Sequence, residues 1–267
     1  MSGDTSSAWL RDWSRRGDVA LRLLCLPPAG GSASLFRRWP RMLPAHVGVV
    51  AVELAGRGRR MTEPPQTELS GIIEPLSLAV ARLLDRPLVI FGHSMGATLG
   101  YDLCRHLYQR TGRRPRMLVV AGCEPPHIAR QRDYAAWLTD EGLIRFLTEM
   151  GGTPAALLAN EEYMRMMTPV IRADLSVLAG RRPDPCTPAL GCAVRAYLGA
   201  TDYSVAPARA AQWRALSNGD FDLSSFPGGH FFVQEAADQV IARLSRDITH
   251  AVSPAGTTAP APALAAE

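Results

Sequence analysis

The sequence predicts an open, doubly wound α/β fold with a mostly parallel sheet and a helical lid insertion. Three observations carry that expectation. Short β-branched runs alternate with longer stretches of helical period. The runs are apolar almost throughout, as strands covered on both faces are. One long segment, from about Pro125 to Arg182, contains no strand pattern. Alternation of this kind implies right-handed βαβ crossovers.

In chain order the predicted strands are LRLLCL (21–26), VGVVAVE (47–53), LVIFGH (88–93), MLVVAG (117–122), CAVRAYLGA (192–200) and FDLSSF (221–226). Before the third, Leu69, Ile72, Ile73, Leu76, Val80 and Leu83 recur at helical spacing, and Pro75 is expected to kink that helix or mark its start. Within the strandless segment, YAAWLTDEGLIRFLTEMGG and NEEYMRMMTPVIRADLSVLAG are amphipathic. Asn160 before two glutamates suits a helix N-terminus. This insertion, about 125–187, would cover the C-terminal edge of the sheet, where such folds bind ligands. APARAAQWRALS reads as one helix. The expected domain is 1–252, followed by an Ala/Pro-rich tail, 253–267, whose composition predicts disorder.

Composition narrows the function classes. Hydrophobic residues are 47% of the 267 and charged residues 20%, the balance of a globular protein with a sizeable core. No apolar run approaches the ~20 residues of a membrane span, and the N-terminus lacks the order of a secretory signal, so a cytoplasmic location and no membrane partner are expected. Five cysteines without paired spacing fit free thiols. Neither CxxC nor HExxH occurs, so no metal is expected. The net charge of +4 comes from arginine alone, scattered in twos. That pattern offers no clustered footprint for nucleic acid.

Chemistry is suggested by Gly92-His93-Ser94-Met95-Gly96, a GxSxG pentapeptide between a strand and a helical pattern. In that context the chain turns sharply, exposes the serine, and needs the glycines to let backbones cross. A serine hydroxyl requires a base. The α/β-hydrolase fold presents nucleophile, acid and histidine in that chain order, with acid and histidine on loops after later strands. Of six histidines, only His230 follows a late strand in a glycine turn, PGGHFF. His93 is read as support for the turn and His106 as helix surface. Asp202, just past the fifth predicted strand, is the expected acid, with Glu124 as the alternative. Asp220 and Asp222 belong to the opposite edge, and Asp102 to the helix after the serine. For the oxyanion, backbone N–H groups of Met95 and of the CLPPAGGSASLF loop are expected to donate. Pro27 and Pro28 carry no N–H, which makes Ala29 the first able to do so. GxGxxG and the Walker pattern are absent, so no nucleotide cofactor is expected.

Taken together, CLPPAGGSASLFRRW, GHSMGA, LTDEGLIRFLTEMGGTP, PVIRADL, YLGATDYSV and FPGGHFFV resemble the type II thioesterases that accompany polyketide and nonribosomal peptide synthases. The resemblance runs from about Leu21 to about Leu244. It implies hydrolysis of acyl groups from the phosphopantetheine arm of acyl and peptidyl carrier domains, clearing stalled or misprimed chains. It puts Ser94, Asp202 and His230 on the triad positions and Ala29 and Met95 on the oxyanion donors. It implies no cofactor beyond the phosphopantetheine that the substrate carries. Tyr203 and Ala55 stand where the family usually has proline. Met150, Met164, Met166 and Met167 either line a compliant acyl channel or only pack the lid. A small-molecule carboxylesterase of the same fold and a catalytically silent binding module are the rival readings.

Overall fold

Strands form where the apolar runs predict them. The computed structural model describes residues 6–15, 19–128, 134–181, 189–217 and 220–252. Among these, β1 (Leu10–Asp12), β2 (Leu21–Leu26), β3 (Val47–Val52), β4 (Leu88–His93), β5 (Met117–Ala121), β6 (Ala193–Gly199) and β7 (Phe221–Phe226) make one sheet. Its order is β1-β3-β2-β4-β5-β6-β7. Every pairing is parallel except β1 with β3.

The period of two along each strand divides the core into two layers. Leu24, Leu26, Val50, Ile90 and Leu118 face one side. There they meet α1 (Ser70–Ala81), α2 (Met95–Thr111) and α4 (Glu161–Gly180), through residues such as Leu76, Leu99, Leu103 and Leu175. Leu23, Cys25, Val49, Phe91 and Val119 face the other side, against Phe36, Trp39 and the Val240, Ile241 and Leu244 stripe of α5 (Ala237–Val252). Each such fully buried side chain contributes roughly 1.5–3 kcal/mol by leaving water.

The lid consists of α3 (Asp140–Met150), a short turn of helix at Ala155–Leu158, and α4. Asn160 caps α4, its side-chain oxygen accepting from the N–H of Tyr163 at 2.9 Å. Opposite charge fastens the far end of α4, where Arg181 pairs with Asp102 of α2 at 2.7 Å.

Three features depart from the expectations. β1 is an unforeseen antiparallel edge strand of three residues. Pro75 does not mark the start of α1, because the helix already runs from Ser70. The helix expected over APARAAQWRALS is one α-turn, Pro207–Ala210, followed by a 3-10 stretch, Ala211–Leu216. There Trp213 is wholly buried and donates its indole N–H to the carbonyl of Cys123, so tertiary contact overrides local helical preference. The expected tail, 253–267, and the end of the expected lid, 182–187, lie outside the described residues.

Candidate active site

β4 ends in the centre of the sheet, and the chain reverses directly into α2. At the reversal Ser94 takes φ 53° and ψ −114°, the sole positive φ of a non-glycine residue among those described. A side chain at Gly92 would overlap the Gly96 carbonyl, and one at Gly96 the Leu26 carbonyl. Backbone cannot retreat as a side chain can, so both positions require glycine. The N–H of Ser94 is tied to the Ala121 carbonyl of β5 at 2.8 Å, which fixes the elbow to the next strand.

Two later strand ends bring the partners. Asp202 follows β6 in a turn closed by its own N–H on the Gly199 carbonyl at 3.1 Å. His230 follows β7, and the N–H of Thr201 bonds the Gly228 carbonyl at 3.0 Å, joining the two loops. The structure brings the three side chains together. His230 Nε2 lies 2.9 Å from Ser94 Oγ, and His230 Nδ1 lies 2.8 Å from Asp202 Oδ2. A carboxylate only accepts, so Nδ1 carries the proton and bare Nε2 faces the hydroxyl. Ser204 completes the setting: its N–H donates to Asp202 Oδ1 at 2.9 Å, and its Oγ lies 3.0 Å from His230 Nδ1. Burial acts to raise the Asp202 pKa. The bond and charge of His230, with the bonds from Ser204, outweigh it and hold the carboxyl below its ordinary value. Tyr203 is almost wholly exposed, which explains why a non-proline is tolerated beside the acid.

The other candidates are placed elsewhere. Glu124 is held by Arg209 at 2.7 Å and does not meet the imidazole. Asp220 pairs with Arg195, and Asp222 with Arg243. His106 is partly buried on α2. His93 is fully buried, and its Nε2–H donates to the backbone carbonyl of His230 at 2.8 Å, so the elbow also holds the histidine loop.

Burial, helped by the charge of His230, pushes His93 down from 6.5 to about 3. The unfolded chain therefore binds a proton that the folded chain refuses, and stability falls as pH drops from 6.5 towards 3. We expect about 2 kcal/mol lost from this residue between pH 7 and pH 5. The stability that Asp202 contributes is lost only below its unfolded value of 3.8, outside that window. His127, lowered by burial, adds in the same direction as His93. Denaturant midpoints at the two pH values check this: His93→Gln keeps a donor without the titration and should reduce the difference without abolishing it.

Above Ser94 the lid encloses a cavity of about 20 Å³, room for roughly one water. Ala29, Ser94 and Met95 line it from below. Trp137, Phe146, Met150 and Leu175 line it from the lid. Met95 opens α2, so its N–H has no acceptor within the helix and is available to a ligand. Of the four lid methionines only Met150 borders the cavity. Met166 is half exposed, while Met164 and Met167 pack against the core. The aromatic lining was not foreseen, because Trp137 and Phe146 read in sequence only as one face of an amphipathic segment.

A nucleophile elbow after β4, with acid and histidine on loops after the last two strands of the sheet, β6 and β7, places the protein among those of the α/β-hydrolase fold. Comparison with known proteins narrows this. The thioesterase domain family matches residues 21–248, and the protein belongs to that family. Linear gramicidin dehydrogenase LgrE of Brevibacillus parabrevis is 33% identical over 239 residues, covering 88% of this chain and 90% of that one. Gramicidin S biosynthesis protein GrsT of Aneurinibacillus migulanus is 31% identical over 246 residues, covering 92% and 96%. Among solved structures, the type II thioesterase BorB from the borrelidin biosynthetic cluster superposes with a TM-score of 0.77 at 31% identity, covering 90% of this chain and 97% of that one.

Proposed function

We propose that the protein is a type II thioesterase that releases acyl groups from the phosphopantetheine thioester of acyl or peptidyl carrier domains, serving a polyketide or nonribosomal peptide synthase. The observation that carries this reading is the hydrogen-bonded chain Asp202–His230–Ser94 at an elbow beneath a lidded cavity. The name of LgrE denotes oxidation and reduction. The groups in contact here are a hydroxyl, an imidazole and a carboxylate, whose joint chemistry is acyl transfer.

In the reaction, Ser94 Oγ attacks the thioester carbonyl as His230 Nε2 takes its proton. The carbonyl oxygen becomes an oxyanion, for which Ala29 and Met95 N–H are the proposed donors. Collapse breaks the carbon–sulfur bond, and the imidazolium returns its proton to the thiolate. Water, deprotonated by the same imidazole, then opens the serine ester and frees the acid. Asp202 keeps Nδ1 protonated and stabilises the imidazolium throughout. No cofactor enters these steps. A cavity with room for one water admits an acyl chain only when the lid side moves, so lid motion gates access.

The reading is tested with wild-type protein, acyl groups loaded on a phosphopantetheinylated carrier, and p-nitrophenyl esters of the same acids. Release from the carrier should exceed oxygen-ester cleavage in kcat/KM, and a fluorophosphonate should label Ser94. Equal or faster cleavage of the free ester would favour the carboxylesterase. An unlabelled serine and no turnover of either substrate would leave a binding module.

A further inference from the structure

One buried ion pair has no part in the steps above. Asp174 of α4 and Arg57 are 1% and 5% exposed, and meet through two parallel hydrogen bonds of 2.6 and 2.7 Å. Arg57 projects from the loop after β3, its Nε donating to the Ala55 carbonyl at 3.2 Å and its Nη1 to the Gly31 carbonyl at 3.3 Å. The pair therefore touches the loop that carries Ala29. Asp174 Oδ2 also accepts the N–H of Gly30 at 2.7 Å. A charged acceptor makes that a strong bond, and the carboxylate is shielded from water while Gly30 is half-buried.

The geometry of the loop shows what this bond does. Gly31 N–H closes a turn on the Pro28 carbonyl at 2.9 Å, with Gly30 at φ 73°, the position that a type II turn reserves for glycine. The Pro28 carbonyl and the Ala29 N–H belong to one planar trans peptide and point in opposite directions. Because the carbonyl points into the turn, the Ala29 N–H points out of it. Among the described residues no hydrogen bond uses that N–H, and Ala29 borders the cavity beside Ser94 and Met95. Two anchors thus hold the turn: its own closing bond, and the carboxylate of Asp174. Lid packing reinforces the second, since a Cβ on Gly30 would come within 2.9 Å of Ile171, one turn before Asp174 on α4.

We propose that Asp174, seated by Arg57, is a positioning residue for acyl transfer, fixing the Ala29–Gly30 turn so that the Ala29 N–H meets the developing oxyanion. Helix α4 is then a wall of the acyl cavity through Leu175 and a support of the oxyanion donor through Asp174. Lid motion that admits substrate belongs to α3 and Trp137, because moving α4 would undo the donor. The inference rests on the thioesterase reading.

The test separates positioning from simple stability. Asp174→Asn keeps the shape but turns an amide N–H toward Arg57 or Gly30. The double variant Arg57→Met/Asp174→Leu replaces the ion pair by apolar groups, a change that is often neutral for stability. It still leaves the Gly30 N–H without an acceptor. Turnover of acyl-carrier thioester is measured per serine titrated by fluorophosphonate, so unfolded molecules do not count. Asp174→Asn should lower kcat about 10- to 100-fold, less than the roughly 10²- to 10³-fold of losing an oxyanion donor outright. KM should stay within about twofold, since the donor acts on the transition state. The double variant should melt near the wild type yet keep at least a tenfold deficit in kcat. Wild-type kcat per titrated site in either variant, or a loss confined to KM, would overturn the proposal. If the double variant does not fold, the single variant decides by the same measure. Should wild type fail to turn over the thioester, the thioesterase reading falls. The rate constant for phosphonylation of Ser94, whose phosphoryl oxygen occupies the same hole, then still decides on Asp174.

Discussion

Replacing Ser94 with alanine is expected to lower kcat for thioester release by about 10⁵- to 10⁶-fold, the scale seen when a triad nucleophile is removed. The fold should survive the change, because the side chain makes one hydrogen bond, to a histidine held independently by Asp202 and, through its carbonyl, by His93. The backbone adds a sharper expectation. Ser94 sits at φ 53°, ψ −114°, a conformation that costs a residue with a Cβ roughly 1–3 kcal/mol. Alanine keeps that Cβ and its strain, so Ser94→Ala should unfold at the wild-type denaturant midpoint. Glycine relieves the strain but adds about 0.5–1 kcal/mol of unfolded-chain entropy. Ser94→Gly should then be equally inactive and about 1 kcal/mol more stable than Ser94→Ala. A Ser94→Gly variant about 0.5–1 kcal/mol less stable than Ser94→Ala, the entropy cost alone, would mean that the elbow stores no strain.

Legibility in the sequence followed the range of the forces involved. The central strands were readable because a strand covered on both faces needs unbroken apolar residues, and Leu88–His93 has nothing else before its terminal histidine. The elbow was readable because its steric demands fall on residues two apart from the serine, Gly92 and Gly96. Chain order alone preferred Asp202 to Glu124, and the coordinates add the reason: an arginine 85 residues away occupies Glu124. That partner leaves no local pattern. Neither does the contact between Arg57 and Asp174, separated by 117 residues, or between Gly30 and Asp174, separated by 144. PVIRADL marks the family resemblance, yet nothing local in it says that its carboxylate meets a glycine N–H. β1 escaped for the opposite reason. Its three residues include two charged ones, and edge pairing with β3 makes it a strand with little help from composition. The short helix before β7 shows propensity losing to burial, since seating Trp213 over the Cys123 carbonyl takes precedence over a regular α-helix.

Asp202→Asn is expected to lower kcat about 10³- to 10⁴-fold, equivalent to roughly 4–5.5 kcal/mol of lost transition-state stabilisation. The size follows from which atom the amide must present. Asp202 Oδ1 accepts the backbone N–H of Ser204 at 2.9 Å, and Oδ2 accepts His230 Nδ1–H at 2.8 Å. Asparagine has one oxygen. The N–H of Ser204 is fixed by the chain and can only donate, so the oxygen stays on its side and the amide NH₂ turns to the imidazole. Two donors cannot share a hydrogen bond, and the neutral ring escapes by moving its proton to Nε2. In that tautomer Nε2–H faces the Ser94 hydroxyl and has no lone pair to take its proton. The base is lost with every heavy atom in place. KM should change little, since nothing that holds the acyl group has moved. Glu124 does not substitute while Arg209 holds it, so Asp202→Asn with Glu124→Gln should be no worse than Asp202→Asn alone. Steady-state kinetics on the carrier-bound thioester check both statements. A loss below tenfold for Asp202→Asn would show that another group, such as the Ser204 hydroxyl 3.0 Å from Nδ1, maintains the productive tautomer without the carboxylate.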